Sequence, residues 1–400
     1  MDDVETLPRH AFKNILVRDY VLGFFALFGF LAAFHALTPT LPIYLERLGS
    51  SKREIGVLVG TIGISALATR LLVGKILRAH SGRVVMMMAA ALFGLSFLAL
   101  VVFRPFWPVV IVRLVQGIAF ASLDTAVLSH VVRIIPPAYR ARAIVYFFVG
   151  PSLASAMAAT SSVYVVNAYG FPVLLFACTG LCVCTFVLSW NLRGKGTEEP
   201  NSSGPQGSLF FRPQIIAPAF VSLLYYFSFA GVSAFFPLYS LQCGVMNPGI
   251  FFSSVAVTLI AVRLFGGFVF EIHTKARIIS FFLVVSAASL VVLSLSTTLP
   301  LFILAGVLWG IAMGYLVPVI MAYALEYAGS SDGTAIATYQ AFMDSGLALG
   351  PVAMGIVVHL AGYRFMFLCS ALVCLVNLAF FSSISQRGVT VHQPSSRSPL

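Results

Sequence analysis

The chain has 400 residues, 60% of them hydrophobic and only 9% charged, with a net charge of +11. Its mean hydropathy of +0.98 lies far outside the range of soluble domains and marks an integral membrane protein. Twelve stretches reach the roughly 20 apolar residues a helix needs to cross the hydrocarbon. They lie near 20–45, 55–77, 84–103, 106–131, 141–166, 171–191, 214–240, 250–270, 278–297, 300–324, 333–358 and 364–384. A bundle of helices satisfies its own backbone in lipid, and nothing in the chain repeats the alternating ten-residue pattern of a barrel, so the expected fold class is an all-α membrane protein.

The segment before the first span, "MDDVETLPRHAFKNILVRD", lacks the basic start, short apolar core and cleavage site of a signal peptide, so the first span is expected to be retained. Sixteen of the 24 Lys and Arg fall on the side of the N-terminus, five on the other side, and Arg70, Arg113 and Arg263 inside the membrane. That bias predicts cytoplasmic termini in a multi-pass cytoplasmic (inner) membrane protein. It also accounts for the positive charge, so nucleic acid is not an expected partner. Membrane lipids and a small-molecule substrate are, with the chain a monomer.

The six cysteines lie in or beside apolar spans and show no disulfide or metal spacing. The seven histidines form no ligand pair. No paired carboxylates and no nucleophile with its base occur at suggestive spacing. Neither an enzyme nor a metal or organic cofactor is expected, and a proton gradient is the expected energy source.

A polar segment rich in Gly, Pro and Ser, "LRGKGTEEPNSSGPQGSLFFRPQ", divides the spans six and six. The expected organisation is an N-terminal bundle over 1–191, a cytoplasmic linker over 192–213, a C-terminal bundle over 214–386 and a cytoplasmic tail over 387–400. The halves repeat at a near-constant offset. "RLLVG" from Arg70 to Gly74 returns as "RLFGG" from Arg263 to Gly267, and "GIA" at Gly117 returns at Gly310, both 193 residues later. Gly56, Gly60, Gly63, Arg70 and Gly74 form one stripe of the second span, and small residues at that spacing let helices approach closely. Arg70 and Arg263 therefore face protein, where they read as gate or interface residues.

The fourth span contains "RLVQGIAFASLD". Arg113 and Asp124 are 11 residues apart and so point within about 20° of each other, about 16 Å apart along the axis, with Gln116 and Gly117 on the same stripe. A charge facing lipid costs about 3 kcal/mol or more, so the stripe is expected to face a central pathway. The alternatives are that Arg113 snorkels to the headgroups and that Asp124 pairs with a basic loop residue. Asp344 lies about 11 residues from either end of its span, with Gln340 one turn away. It either loads and releases a proton or forms a lasting ion pair between the halves. His35 is a second proton carrier or a packed histidine. Tyr225 and Tyr226 line a substrate pocket or pack the core. Pro351, in the eleventh span with Gly346, Gly350 and Gly355 nearby, is expected to let that span bend during transport.

Taken together, the six-plus-six layout, "RLVQG" in span four, "PPAYRARA" before span five and "GLALGPVAMG" in span eleven resemble the major facilitator superfamily, in its exporter-like branch. The resemblance covers essentially the whole chain. It implies two pseudo-symmetric six-helix bundles that close alternately on a midplane site. The loop after span two departs from the family pattern: "GKILRAHSGR" has Arg78 where an aspartate belongs, followed by Arg83, whereas the repeated loop keeps an acid at Glu271. Gating is thereby assigned to Arg70, Gly74, Arg83, Arg263, Gly267, Glu271 and Pro351. The implied function is proton-coupled export, by antiport, of a small amphipathic or anionic solute. An importer of a small organic anion and a non-transporting scaffold or sensor are the other readings.

Overall fold

The computed structural model describes residues 18–135, 147, 149–193, 213–266, 269, 273–327 and 333–391. The linker over 194–212, the entry to span five and the last nine residues fall outside them. Among the described residues every regular element is a helix: α1 Arg18–Arg47, α2 Lys52–Ala79, α3 Gly82–Val102, α4 Phe106–Ile134, α5 Val149–Tyr169, α6 Phe171–Trp190, α7 Pro213–Gln242, α8 Gly249–Phe265, α9 Lys275–Leu295, α10 Leu299–Tyr327 and α11 Gly333–Val391. The last of these is two expected spans joined without a loop. Gly362, at φ 82° and ψ 176°, breaks it into arms 333–361 and 363–391, giving twelve helical segments among the described residues. Only glycine takes that backbone conformation without strain, so one residue turns the chain back.

Local chemistry sets the other boundaries. Ser51 and Glu54 form a reciprocal capping box at the start of α2, satisfying amides that the first helical turn leaves open. Ser81 caps α3. Gly170, at φ 87°, separates α5 from α6, and Pro172 fits the first turn of α6, where no amide bond is lost. Outward faces carry Met88, Leu95, Trp107 and Leu295, all well exposed, as lipid contact demands. All six cysteines are free thiols.

Helix packing reproduces the internal repeat. Gly117 of α4 lies against the carbonyl of Ile62 and the hydroxyl of Ser65 on α2, and Gly310 of α10 lies against Val255 and Thr258 of α8, each partner shifted by the same 193 residues. Between the halves, Gly56 of α2 meets the Pro351 carbonyl of α11, and Gly249 of α8 meets the Ala159 carbonyl of α5. These are again repeat equivalents. In the absence of a hydrophobic force between helices in lipid, association rests on van der Waals packing and interhelical hydrogen bonds, and glycine permits the close backbone approach that both need.

These two glycine contacts lie toward the far end, opposite the end where α1 begins. Lys52 adds a contact there: it pairs with Glu46 and sits 5.3 Å from the ring centre of Tyr363. Its side chain is 25% exposed and that of Glu46 42% exposed, so water screens the pair. Lys52→Ala should change unfolding stability by less than about 1 kcal/mol, measured by denaturant unfolding in detergent micelles.

Candidate functional site

Arg70 occupies the seam between the halves. It lies about 14 Å along α2 from its near end, and its guanidinium holds two acids from different helices. Nε donates to Asp344 Oδ2 at 2.6 Å. Nη1 donates to Asp124 Oδ2 at 3.1 Å and to the Thr125 hydroxyl at 3.3 Å. Asp344 comes from the first arm of α11 in the second half, and Asp124 from α4 in the first. Only 7% of the Arg70 side chain and none of that of Asp344 is exposed, against 26% for Asp124. One acid is thus sealed and the other reaches open space.

The charges do not cancel. One cation faces two carboxylates, leaving the cluster one negative charge in excess, and a proton on either acid restores neutrality. Asp344 Oδ1 is buried without a hydrogen-bond partner among the described residues, which is costly for a carboxylate oxygen. A proton bound there would remove the excess charge and weaken the attraction that ties α11 to α2.

The expected stripe on α4 divides between two roles. Asp124 joins Arg70. Arg113 is 5% exposed and turns toward α2, donating from Nε to the Leu58 carbonyl at 2.9 Å, from Nη1 to Gln116 Oε1 at 2.7 Å and from Nη2 to the Val59 carbonyl at 3.4 Å. It does not snorkel, and in this conformation it braces two helices of one half. The cause is Gly117, whose missing side chain brings the α2 backbone within reach of the guanidinium. Gln116 is fully buried, and its Nε2 has no partner among the described residues.

Arg263, the repeat equivalent of Arg70, donates from Nη1 to the Ser152 hydroxyl of α5 at 2.9 Å. Ser152 corresponds to Asp344 by the 192-residue offset that relates Ala159 to Pro351, and Val317 occupies the place of Asp124 on α10. The two seams therefore share a geometry and differ at this position: an aspartate meets Arg70 where a serine meets Arg263. Ser152 escaped the sequence reading because a lone serine in an apolar helix carries no signal until its arginine is known.

Tyr225 is fully buried with its hydroxyl unpartnered among the described residues. It lies edge-on to Tyr226 at 5.5 Å and 6.5 Å from Trp309, which Phe229 approaches to 6.4 Å. Tyr225→Phe removes a buried hydroxyl that gains nothing and should raise unfolding stability by about 1 kcal/mol. Equilibrium unfolding in micelles checks this. His35 is half-buried and packs edge-on against Phe34 at 5.3 Å. No hydrogen bond joins it to Arg70, Asp124 or Asp344 among the described residues. Gln340 is half-buried, one turn before Asp344. Arg83 lies 5.5 Å from the ring centre of Trp190, inside the first half and away from the seam, because α3 and α6 are neighbours there. Gly74 falls in α2, whereas Gly267 and Glu271 lie outside the described residues.

The sequence matches the Major Facilitator Superfamily over residues 23–269 and again over 246–399. It is 20% identical to the staphylopine export protein of Staphylococcus aureus (strain Mu50 / ATCC 700699) over 374 residues, 88% of this chain and 92% of that one. The fold is similar to that of the nucleoside transporter NupG, with a TM-score of 0.75 at 14% identity, covering 93% of this chain and 99% of the other. It is also similar to the human organic anion transporter MFSD10 (TETRAN), with a TM-score of 0.67 at 17% identity over 91% of this chain and 99% of the other. A bacterial homologue of the human lysosomal transporter Spinster, in an inward-facing and unoccupied conformation, gives 0.75 at 12% identity over 95% and 99%. Family likeness across both halves, apolar helices throughout and a shared fold lead to one conclusion: the chain is a multi-pass membrane transporter belonging to the Major Facilitator Superfamily.

Proposed function

We propose that the chain is a proton-coupled antiporter exporting a small amphipathic or anionic solute across the cytoplasmic membrane, with Arg70 as the coupling residue. The observation that carries this reading is one arginine shared between Asp344, sealed at the interface of the halves, and Asp124, partly exposed. In the alternate state, open to the outside, a proton binds Asp344, and Arg70 rests on Asp124 alone while the seam between α2 and α11 is open. Loss of the proton to the cytoplasm re-forms the bridge. Asp124 also keeps Arg70 paired when Asp344 is protonated, so the cation is not left buried alone.

Resemblance to an export protein supports the direction, and an organic anion transporter among the fold relatives supports an anionic cargo. The Tyr225, Tyr226, Phe229 and Trp309 cluster suits an amphipathic body, with the Tyr225 hydroxyl free to donate to it. Both termini then face the cytoplasm, as the charge bias requires.

The test is a solute screen in proteoliposomes with and without an imposed pH gradient, run on the native chain and on Asp344→Asn. The native protein should move its cargo against the proton gradient. Asp344→Asn should lose the response to that gradient while keeping solute exchange within about tenfold. Cargo uptake that follows protons in the same direction would overturn export by antiport.

A further inference from the structure

We propose that a groove between α9 and the second arm of α11 is a binding site for one anionic phospholipid. The groove has a volume of about 520 Å³ and is lined by Arg277, Ser280, Phe281, Val284, Leu378, Ser382 and their neighbours. It opens outward, since Phe281 and Val284 are 63% and 48% exposed. In a membrane-spanning bundle an outward apolar groove contacts lipid rather than water.

The polarity of the lining is graded along the membrane normal. α9 leaves the near end at Lys275 and the second arm of α11 returns to it, so Arg277 and Ser385 share the outermost level. Ser280 and Ser382 lie about one turn deeper. Phe281, Val284 and Leu378 lie deeper still, Val284 about 10 Å below Arg277. A phosphate at the level of Arg277, glycerol oxygens at the serines and the first acyl carbons against Phe281 and Leu378 match this order.

Charge selects the headgroup. Lys275 is committed to Glu326, whereas Arg277 is exposed and has no ion pair among the described residues. Basic pockets between transmembrane helices on the cytoplasmic side are established sites for acidic headgroups, and each basic residue near an anionic surface contributes about fivefold in affinity. A guanidinium also grips phosphate through paired donors. A zwitterionic lipid would place a second cation beside Arg277 and is disfavoured.

The experiment uses the full chain reconstituted in nanodiscs of phosphatidylcholine with phosphatidylglycerol as the minor component, then released for native mass spectrometry. The native chain should retain one phosphatidylglycerol through activation that strips the remaining lipid. Arg277→Gln should lower that retention about fivefold, and Ser280→Phe, which fills the groove with the arginine intact, should abolish it. Arg193→Gln, another exposed basic residue at the near end, should leave it unchanged. Equal retention by all four proteins would overturn the proposal. So would a dimer that breaks on Ser280→Phe, since a second copy would then occupy the face. Displacement of the lipid by inorganic phosphate alone would overturn it too, as the acyl contacts would be idle.

Discussion

Arg70→Ala should destabilise the folded protein by about 3–5 kcal/mol, the range seen when one partner of a buried ion pair is removed. Without the guanidinium, Asp344 has no exposed surface and no cation, and Asp124 loses the bond that holds it toward α2. Denaturant unfolding in detergent micelles measures the effect. Asp344→Asn should cost less, because it removes the excess negative charge of the cluster while an amide oxygen still faces Arg70. The double variant should be more stable than the sum of the two single changes, since Arg70→Ala harms chiefly by abandoning a carboxylate that Asp344→Asn removes. Strict additivity would show that Arg70 and Asp344 do not interact in the folded protein.

Gly63→Val should slow transport by about 5- to 150-fold by forcing the halves apart at the α2–α11 seam. A Cβ at Gly63 would lie 2.6 Å from the Ala348 amide nitrogen and 2.9 Å from its Cα, and backbone cannot swing aside as a long side chain does. Overpacking of this kind costs about 1–3 kcal/mol, paid only in the conformation where α2 and α11 touch. The population should therefore shift to states open at this seam, read as a longer distance between spin labels at residues 51 and 361. Gly82→Ala, with nothing nearer than 3.9 Å to its added carbon, is the matching control and should transport normally.

The number of membrane passes, the two-bundle layout and the seam-facing arginines were all legible in the sequence. Hydrocarbon thickness and the cost of a lipid-facing charge act on every residue regardless of tertiary detail. The repeat offset was equally visible, and it pairs Gly56 with Gly249 and Gly117 with Gly310 before any coordinate is known, though not the backbone each one meets. Partner choice was not legible. Arg113 and Asp124 share one face of α4, which placed both on a central pathway, yet Arg113 binds carbonyls of α2 in its own half and Asp124 binds Arg70.

Composition and periodicity set which faces avoid lipid, because that is a property of each helix by itself. Which of two nearby acids an arginine selects, and that Ser152 takes the place of Asp344 on the second seam, depends on how closely two helices approach. Glycines on one helix and backbone carbonyls on another decide that distance, and residues so far apart in the chain meet only once the bundles have packed.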